Sequence, residues 1–209
     1  MRRCIAITIL MGLITFTACN DPAADTSKAR TGEATHVASP AAAQGQKYLI
    51  TAQNSKIEFV GSKVTGKENG SFKDFSGQID YTGNPETSRV NITIKVDSIT
   101  TDSPDLAKHL KTADFFDVAK FPEASFVSTA IKAGGENGAT HTVTGNLTMH
   151  GVTKAVTFPA TINVTPEAAT VESSFSINRK DFGINYAGAA DNLIRDNVVL
   201  TLHIRATKT

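Results

Sequence analysis

The sequence predicts an all-β domain of roughly eight or nine antiparallel strands, closed into a barrel or stacked as a two-layer sandwich. One short helical insertion interrupts the strands. Three observations carry this reading. After Tyr48, apolar and polar residues alternate with period two through most of the chain, which gives each strand one buried and one solvated face. Clusters of Gly, Asn and Pro break the alternation at short intervals, as hairpin turns do. Only one segment, beginning at Ser103, reads as a helix start.

In chain order, the first element is a leader. Arg2 and Arg3 precede a mostly apolar stretch from Ile5 to Ala18. The stretch is shorter than the roughly 20 residues of a spanning helix and suits the apolar region of an export signal. It ends Phe16-Thr17-Ala18-Cys19. That ending resembles a bacterial lipoprotein box, in which a small residue precedes a cysteine that becomes lipidated. Phe16 stands where an aliphatic residue is usual. Residues 1–18 are therefore expected to be a lipoprotein signal peptide, with Cys19 as the lipidation site. Between 20 and 46, the only Ile, Leu, Phe or Val is Val37. So few apolar side chains cannot offset the entropy of ordering. Residues 19–46 are expected to be a lipidated cysteine and a disordered tether, and 47–209 the domain.

Within the domain, Val90, Ile92, Ile94 and Val96 share one face. Val143, Gly145, Leu147 and Met149 repeat the pattern. So do Val156 to Val164, Val171 to Ile177 and Val198 to Ile204, each read at alternate positions. Turns are expected at 66–70, 83–85, 134–138 and 166–167 from their Gly, Asn and Pro content. Ser103-Pro104-Asp105 supplies a capping hydroxyl, a proline at the first position and an acid at the positive end of the helix dipole. Leu106, Leu110 and Ala113 then share a helix face, Asp114 to Val118 continue as a short turn, and Phe121-Pro122 ends the insertion.

Composition narrows the function. Lys+Arg is 21 against 20 for Asp+Glu, a formal net charge of +1. No basic excess is available for a phosphate backbone, so nucleic acid is not an expected partner. Trp is absent and Tyr numbers 3, against 11 Phe, so the aromatic girdles of a membrane-spanning barrel cannot form. Cys4 and Cys19 are the two cysteines. The domain therefore has no disulfide, cysteine metal site or cysteine nucleophile.

No nucleophile elbow, zinc-protease motif, phosphate loop or dinucleotide fingerprint occurs. His109, His150, Asp114 and Asp117 lack a metal-ligand spacing, and no metal is expected. Arg179 and Asp181 form either an anion site or a structural ion pair. Phe59, Phe72, Phe75, Phe115, Phe116, Phe126, Phe158, Phe175 and Phe182 read equally as packed core or as the lining of an apolar cavity.

Three ordered stretches resemble the YceI-like, polyisoprenoid-binding family. The first runs from His109-Leu110-Lys111 through Asp114-Phe115-Phe116-Asp117-Val118 and Phe121-Pro122 to Phe126 and Ser128. The second is Gly145-Asn146-Leu147-Thr148-Met149-His150-Gly151-Val152-Thr153-Lys154. The third is Phe175-Ser176-Ile177-Asn178-Arg179-Lys180-Asp181-Phe182-Gly183-Ile184. Tyr48 to Val60 also fits, so the resemblance spans nearly the whole domain.

The resemblance implies a lipocalin-like antiparallel barrel of about eight strands with an elongated apolar pocket. Family members are secreted or periplasmic and hold an isoprenoid quinone, a prenyl phosphate, a fatty amide or a similar amphiphile; some capture lipophilic antibiotics. No catalytic residues and no cofactor carry over, beyond a bound isoprenoid or fatty-acid-like ligand. A lipid anchor departs from the free periplasmic relatives.

The expected protein is thus a lipoprotein of the cell envelope, on the periplasmic side of the outer or inner membrane. Its partners would be a lipophilic small molecule and the membrane itself, with a homodimer also allowed. The lipid-binding set expected is Phe115, Phe116, Phe126, Phe158, Phe175 and Phe182, with His109 and Arg179 near a polar head group. Two alternatives stand beside it. One is an enzyme acting on such a lipid through His109, Asp114, His150, Arg179 and Asp181. The other is an interaction domain with a filled core.

Overall fold

In the computed structural model, which describes residues 21–36, 45–190 and 192–209, the alternating segments become one twelve-stranded antiparallel sheet. The strands are β1 (Arg30–Glu33), β2 (Gln46–Thr51), β3 (Lys56–Lys63), β4 (Gly66–Phe72), β5 (Phe75–Tyr81), β6 (Arg89–Lys95) and β7 (Ile99–Thr101). After helix α1 (Pro104–Leu110) come β8 (Glu123–Ala133), β9 (His141–Met149), β10 (Val152–Val164) and β11 (Ala168–Asn178). A two-residue hairpin, β12 (Gly188–Ala189) with β13 (Asn192–Leu193), precedes β14 (Asn197–Lys208).

Long strands are made in pieces. β14 pairs with β2 near its end and with β3 further back. β4 and β5 pair with β3 and β2 respectively, and β7 and β6 follow the same way. Counting such pieces once, eight staves close a barrel through β6–β8–β9–β10–β11–β14. Closure leaves no free edge in the ring.

The alternation settles which side faces in. Val143, Leu147, Val156, Phe158, Phe175, Ile177, Leu200 and Ile204 all lie in the interior. Outward positions of β10 are Thr157, Pro159, Thr161 and Asn163. An apolar inside with a polar outside is the reverse of a membrane-spanning barrel. One end is filled by Tyr48, Ile50, Phe75, Ile79 and Ala206. At the other end, α1 and the chain after Arg179 pack together through Ile99, Leu110, Phe115 and Ile184.

The helix starts as expected: the Ser103 hydroxyl accepts from the Leu106 N–H, Pro104 opens it and Asp105 lies in the first turn. Two expectations need correction. Residues 66–70 are not a turn but most of β4; the reversal is the two residues before it, and Gly70 lies against the Phe59 ring. The expected tether is not featureless either. Residues 30–33 pair with Lys154 to Thr157 of β10, while the Ala29 N–H donates to Ser176 O at 2.9 Å. β10 and β11 pair only from Thr161–Val164 to Ala169–Glu172, and they diverge beyond that. The N-terminal segment occupies this seam. Counting apolar residues missed it because backbone hydrogen bonds, polar side-chain contacts and two small side chains, Ala23 and Ala29, do the docking. The expected anchor, Cys19, and residues 1–18 lie outside the described residues.

Candidate ligand-binding site

The barrel encloses an apolar cavity of about 410 Å³. This is within the range of small-molecule pockets. Its walls are alternate residues of β3, β6, β8, β9, β10, β11 and β14, so the period-two pattern is also the pattern of the lining. Phe126 and Phe158 lie 5.7 Å apart between ring centroids, and Phe158 stacks on Phe175 at 4.1 Å with a 9° tilt. These three rings form a continuous aromatic wall. Phe59 and Phe72 add a second aromatic group, 5.8 Å apart, and Phe116 meets Phe72 edge-on at 6.1 Å.

Five of the six expected phenylalanines line the cavity: Phe115, Phe116, Phe126, Phe158 and Phe175. Phe115 and Phe116 both do so although adjacent, because they sit in the irregular turn after α1, where helical spacing no longer separates them. Phe182 does not line it. It is fully buried at 0% exposure, packed in the barrel core with Val156, Phe175 and Ile177.

Polar groups gather at the α1 end. His109 Nε2 lies 2.9 Å from Asp114 Oδ2. The His109 ring meets Phe115 and Tyr186 edge-on, both at 5.1 Å between centroids. Lys63 and Glu68, also in the lining, pair at 3.0 Å. Ser62 is buried among the lining residues, and its Oγ has no hydrogen-bond partner among the described residues. A buried hydroxyl of this kind calls for an explanation, and a ligand oxygen would supply one. Tyr186, Ser62 and the Lys63–Glu68 pair were not singled out from sequence. Tyr186 lies in a loop with no period, and a lone serine in a strand has no signal.

Arg179 lines the cavity but is not free to grasp a head group. The residue is 4% exposed, and its guanidinium donates to Ile184 O at 2.7 Å, Arg195 O at 3.2 Å and Ile194 O at 3.3 Å. Asp196 Oδ1 lies 3.5 Å away. Burial lowers its pKa, and Asp196 opposes that shift; a guanidinium stays charged regardless. Its role is to tie the 184–196 loop to the barrel. Asp181 is not its partner and instead accepts from the Thr31 hydroxyl at 2.7 Å.

His150 is also structural. It has φ 51°, and Gly151 follows at 75°, the pair of positive angles that a tight two-residue hairpin needs. Its Nδ1 lies 3.2 Å from Phe182 O, and its ring packs on Phe121. The five acid–base candidates are thus dispersed, with only His109 and Asp114 in contact. No group of three or more His, Cys, Asp or Glu side chains converges among the described residues.

Comparison with known proteins agrees with this geometry. A family model described as the YceI-like domain matches residues 48–206. A UPF0312 protein of Pseudomonas putida is 43% identical over 132 residues, which is 60% of this chain and 68% of that one. The crystal structure of Burkholderia cenocepacia BcnA superposes with a TM-score of 0.66 at 27% identity, covering 76% of this chain and 99% of that one. A polyisoprenoid binding domain from Saccharophagus degradans has the same fold, with a TM-score of 0.63 at 17% identity over 79% and 100% of the two chains. Barrel, cavity and family match coincide over the same residues, and the chain belongs to the YceI-like domain family.

Proposed function

We propose that this protein holds a polyisoprenoid, quinone or other long-chain amphiphile in its barrel, at the cell envelope, anchored by a lipid on Cys19. The observation that carries the reading is the unfilled apolar cavity of about 410 Å³, with its polar groups confined to one end. That layout matches a molecule with a long tail and a small head. Each methylene moved from water into such a site contributes about 0.8 kcal/mol, so about ten carbons would contribute about 8 kcal/mol. Ordering of the ligand offsets part of this. The fold shared with a polyisoprenoid binding domain supports the same class of cargo. A domain with a filled core would not leave this space.

The head group would meet His109, Tyr186 and Ser62 at the rim. Phe116→Asp tests the assignment. It places a charge where the tail passes, which is costly in an apolar site. Binding of a prenyl quinone or a fluorescent fatty acid is expected to fall at least tenfold, about 1.4 kcal/mol, while circular dichroism stays native. Unchanged affinity in the folded variant would refute a tail path through this mouth. For the anchor, Cys19→Ser is expected to release the chain from the membrane fraction or leave it uncleaved; a variant that matures and fractionates like the parent rules the anchor out.

A further inference from the structure

We propose that the mouth of the barrel is a membrane-docking face, turned toward a phospholipid bilayer by the docked N-terminal segment. The proposal rests on the lipid-anchor reading of Cys19 and adds the orientation of the barrel to it. Three observations carry it.

The first is where the chain comes from. Residues 21–33 precede the family-matched region, which begins at residue 48, and they are fastened to the barrel. Ser176 N–H donates to Ser27 O at 2.8 Å, and the Ala29 N–H donates back to Ser176 O at 2.9 Å. Asp21 Oδ2 reaches Arg195 Nη1 at 3.3 Å. Arg195 lies beyond the last β11–β14 pair, Asn178 with Asn197, in the loop that rims the cavity. Cys19 is two residues before Asp21, within about 7 Å of it at full extension. With the anchor on Cys19, so short a link to Asp21 would keep the acyl chain within reach of the mouth.

The second observation is the surface found there. Among the described residues, the exposed large hydrophobic side chains are Leu49, Val64, Tyr186 and Leu193. Three of these four surround the mouth. Val64 N–H donates to Leu193 O at 3.1 Å, so the β3–β4 turn and the β12–β13 hairpin present one apolar tip. Val64 and Leu193 are 52% and 49% exposed. The third observation is charge. Lys67, the second residue of β4 after that turn, is exposed and has no ion-pair partner among the described residues, which suits an anionic lipid surface. A cargo with a long tail would then pass between bilayer and cavity without crossing water.

The test uses the full chain purified from membranes and reconstituted into phosphatidylcholine–phosphatidylglycerol vesicles carrying a headgroup-level nitroxide lipid. Leu193→Cys is labelled with an environment-sensitive fluorophore, and Leu49→Cys, exposed on β2 near the filled end, serves as the reference. Quenching is expected to be several-fold stronger at 193 than at 49. Equal quenching on a chain that stays with the vesicles overturns the orientation while the anchor stands. A label at 193 shielded from both water and lipid indicates a second protein copy on this face and also overturns it. A chain that does not sediment with vesicles and shows a free Cys19 thiol overturns the anchor reading, and the proposal with it.

Discussion

Single residues decide whether the barrel stays hollow. Phe59 on β3 pairs directly with Gly70 on β4. A Cβ at Gly70 would stand 2.1 Å from the Phe59 ring, so the glycine lets the ring lie flat against the wall. Gly145 plays the same part beneath Phe126, with a Cβ distance of 2.3 Å. Aromatic rings laid over strand glycines cover apolar wall without occupying the lumen. Gly70→Ala is therefore expected to swing Phe59 into the cavity. Affinity for a long-chain ligand is expected to fall several-fold and the melting temperature to drop, because a displaced Phe59 gives up its packing on Phe72, which outweighs the roughly 0.4–1 kcal/mol that alanine gains by narrowing the unfolded ensemble. A variant that binds as tightly as the parent would show that Phe59 does not bound the ligand path. Arg179 works in the opposite direction. It spends its donors on three carbonyls of the rim loop, and its buried charge fixes the shape of the mouth instead of selecting the cargo.

At the scale of elements, the N-terminal strand is the least expected part. All four residues of β1 are exposed, so its hold comes from backbone pairing, from the exposed Thr31–Asp181 and Glu33–Lys154 contacts and from Ala29, which is 6% exposed within the barrel core. Replacing that methyl by a carboxylate buries a charge without a partner. Ala29→Asp is expected to cost about 1–3 kcal/mol or more and to expose the Ser176 and Thr157 amides to hydrogen exchange. Exchange that stays slow at both amides would mean the seam holds without this segment. Period-two alternation made the inward residues of β6, β9, β10, β11 and β14 legible from the sequence, since one slipped residue would have turned the apolar set outward. The capped helix was legible for a similar reason: Ser103, Pro104 and Asp105 are local signals. Gly66 to Gly70 misled because glycine marks turns by its backbone freedom, whereas at Gly70 it is the missing side chain that matters. β1 was invisible because its information lies in main-chain hydrogen bonds to β10, and main-chain bonds leave no trace in residue type. Of the site, the apolar wall and His109 could be read, and the rest of the polar rim could not. Tyr186 is brought to Ser62 and Lys63, at the end of β3, by a loop whose path is set by tertiary contacts such as those of Arg179.

For the whole molecule, the cavity links function to stability. A closed barrel buries apolar side chains on its inner face, yet here the two core clusters meet around open space. The lining loses dispersion contacts wherever no atom faces it. A ligand that binds only the folded state restores those contacts and stabilises by mass action, by about 2.7 kcal/mol at a concentration a hundredfold above its dissociation constant. The domain is expected to melt at a lower temperature after lipid extraction. Reloading with a prenyl quinone or a long-chain fatty acid should raise the melting temperature by several degrees, with a shift that grows with ligand concentration. A short-chain analogue with the same head group should raise it much less, because the tail supplies most of the burial. The shift should also shrink in Phe116→Asp, which alters the tail's path but not the far end of the barrel. Equal stabilisation by short and long chains would place the binding energy in the head group and would overturn the cavity as the seat of binding.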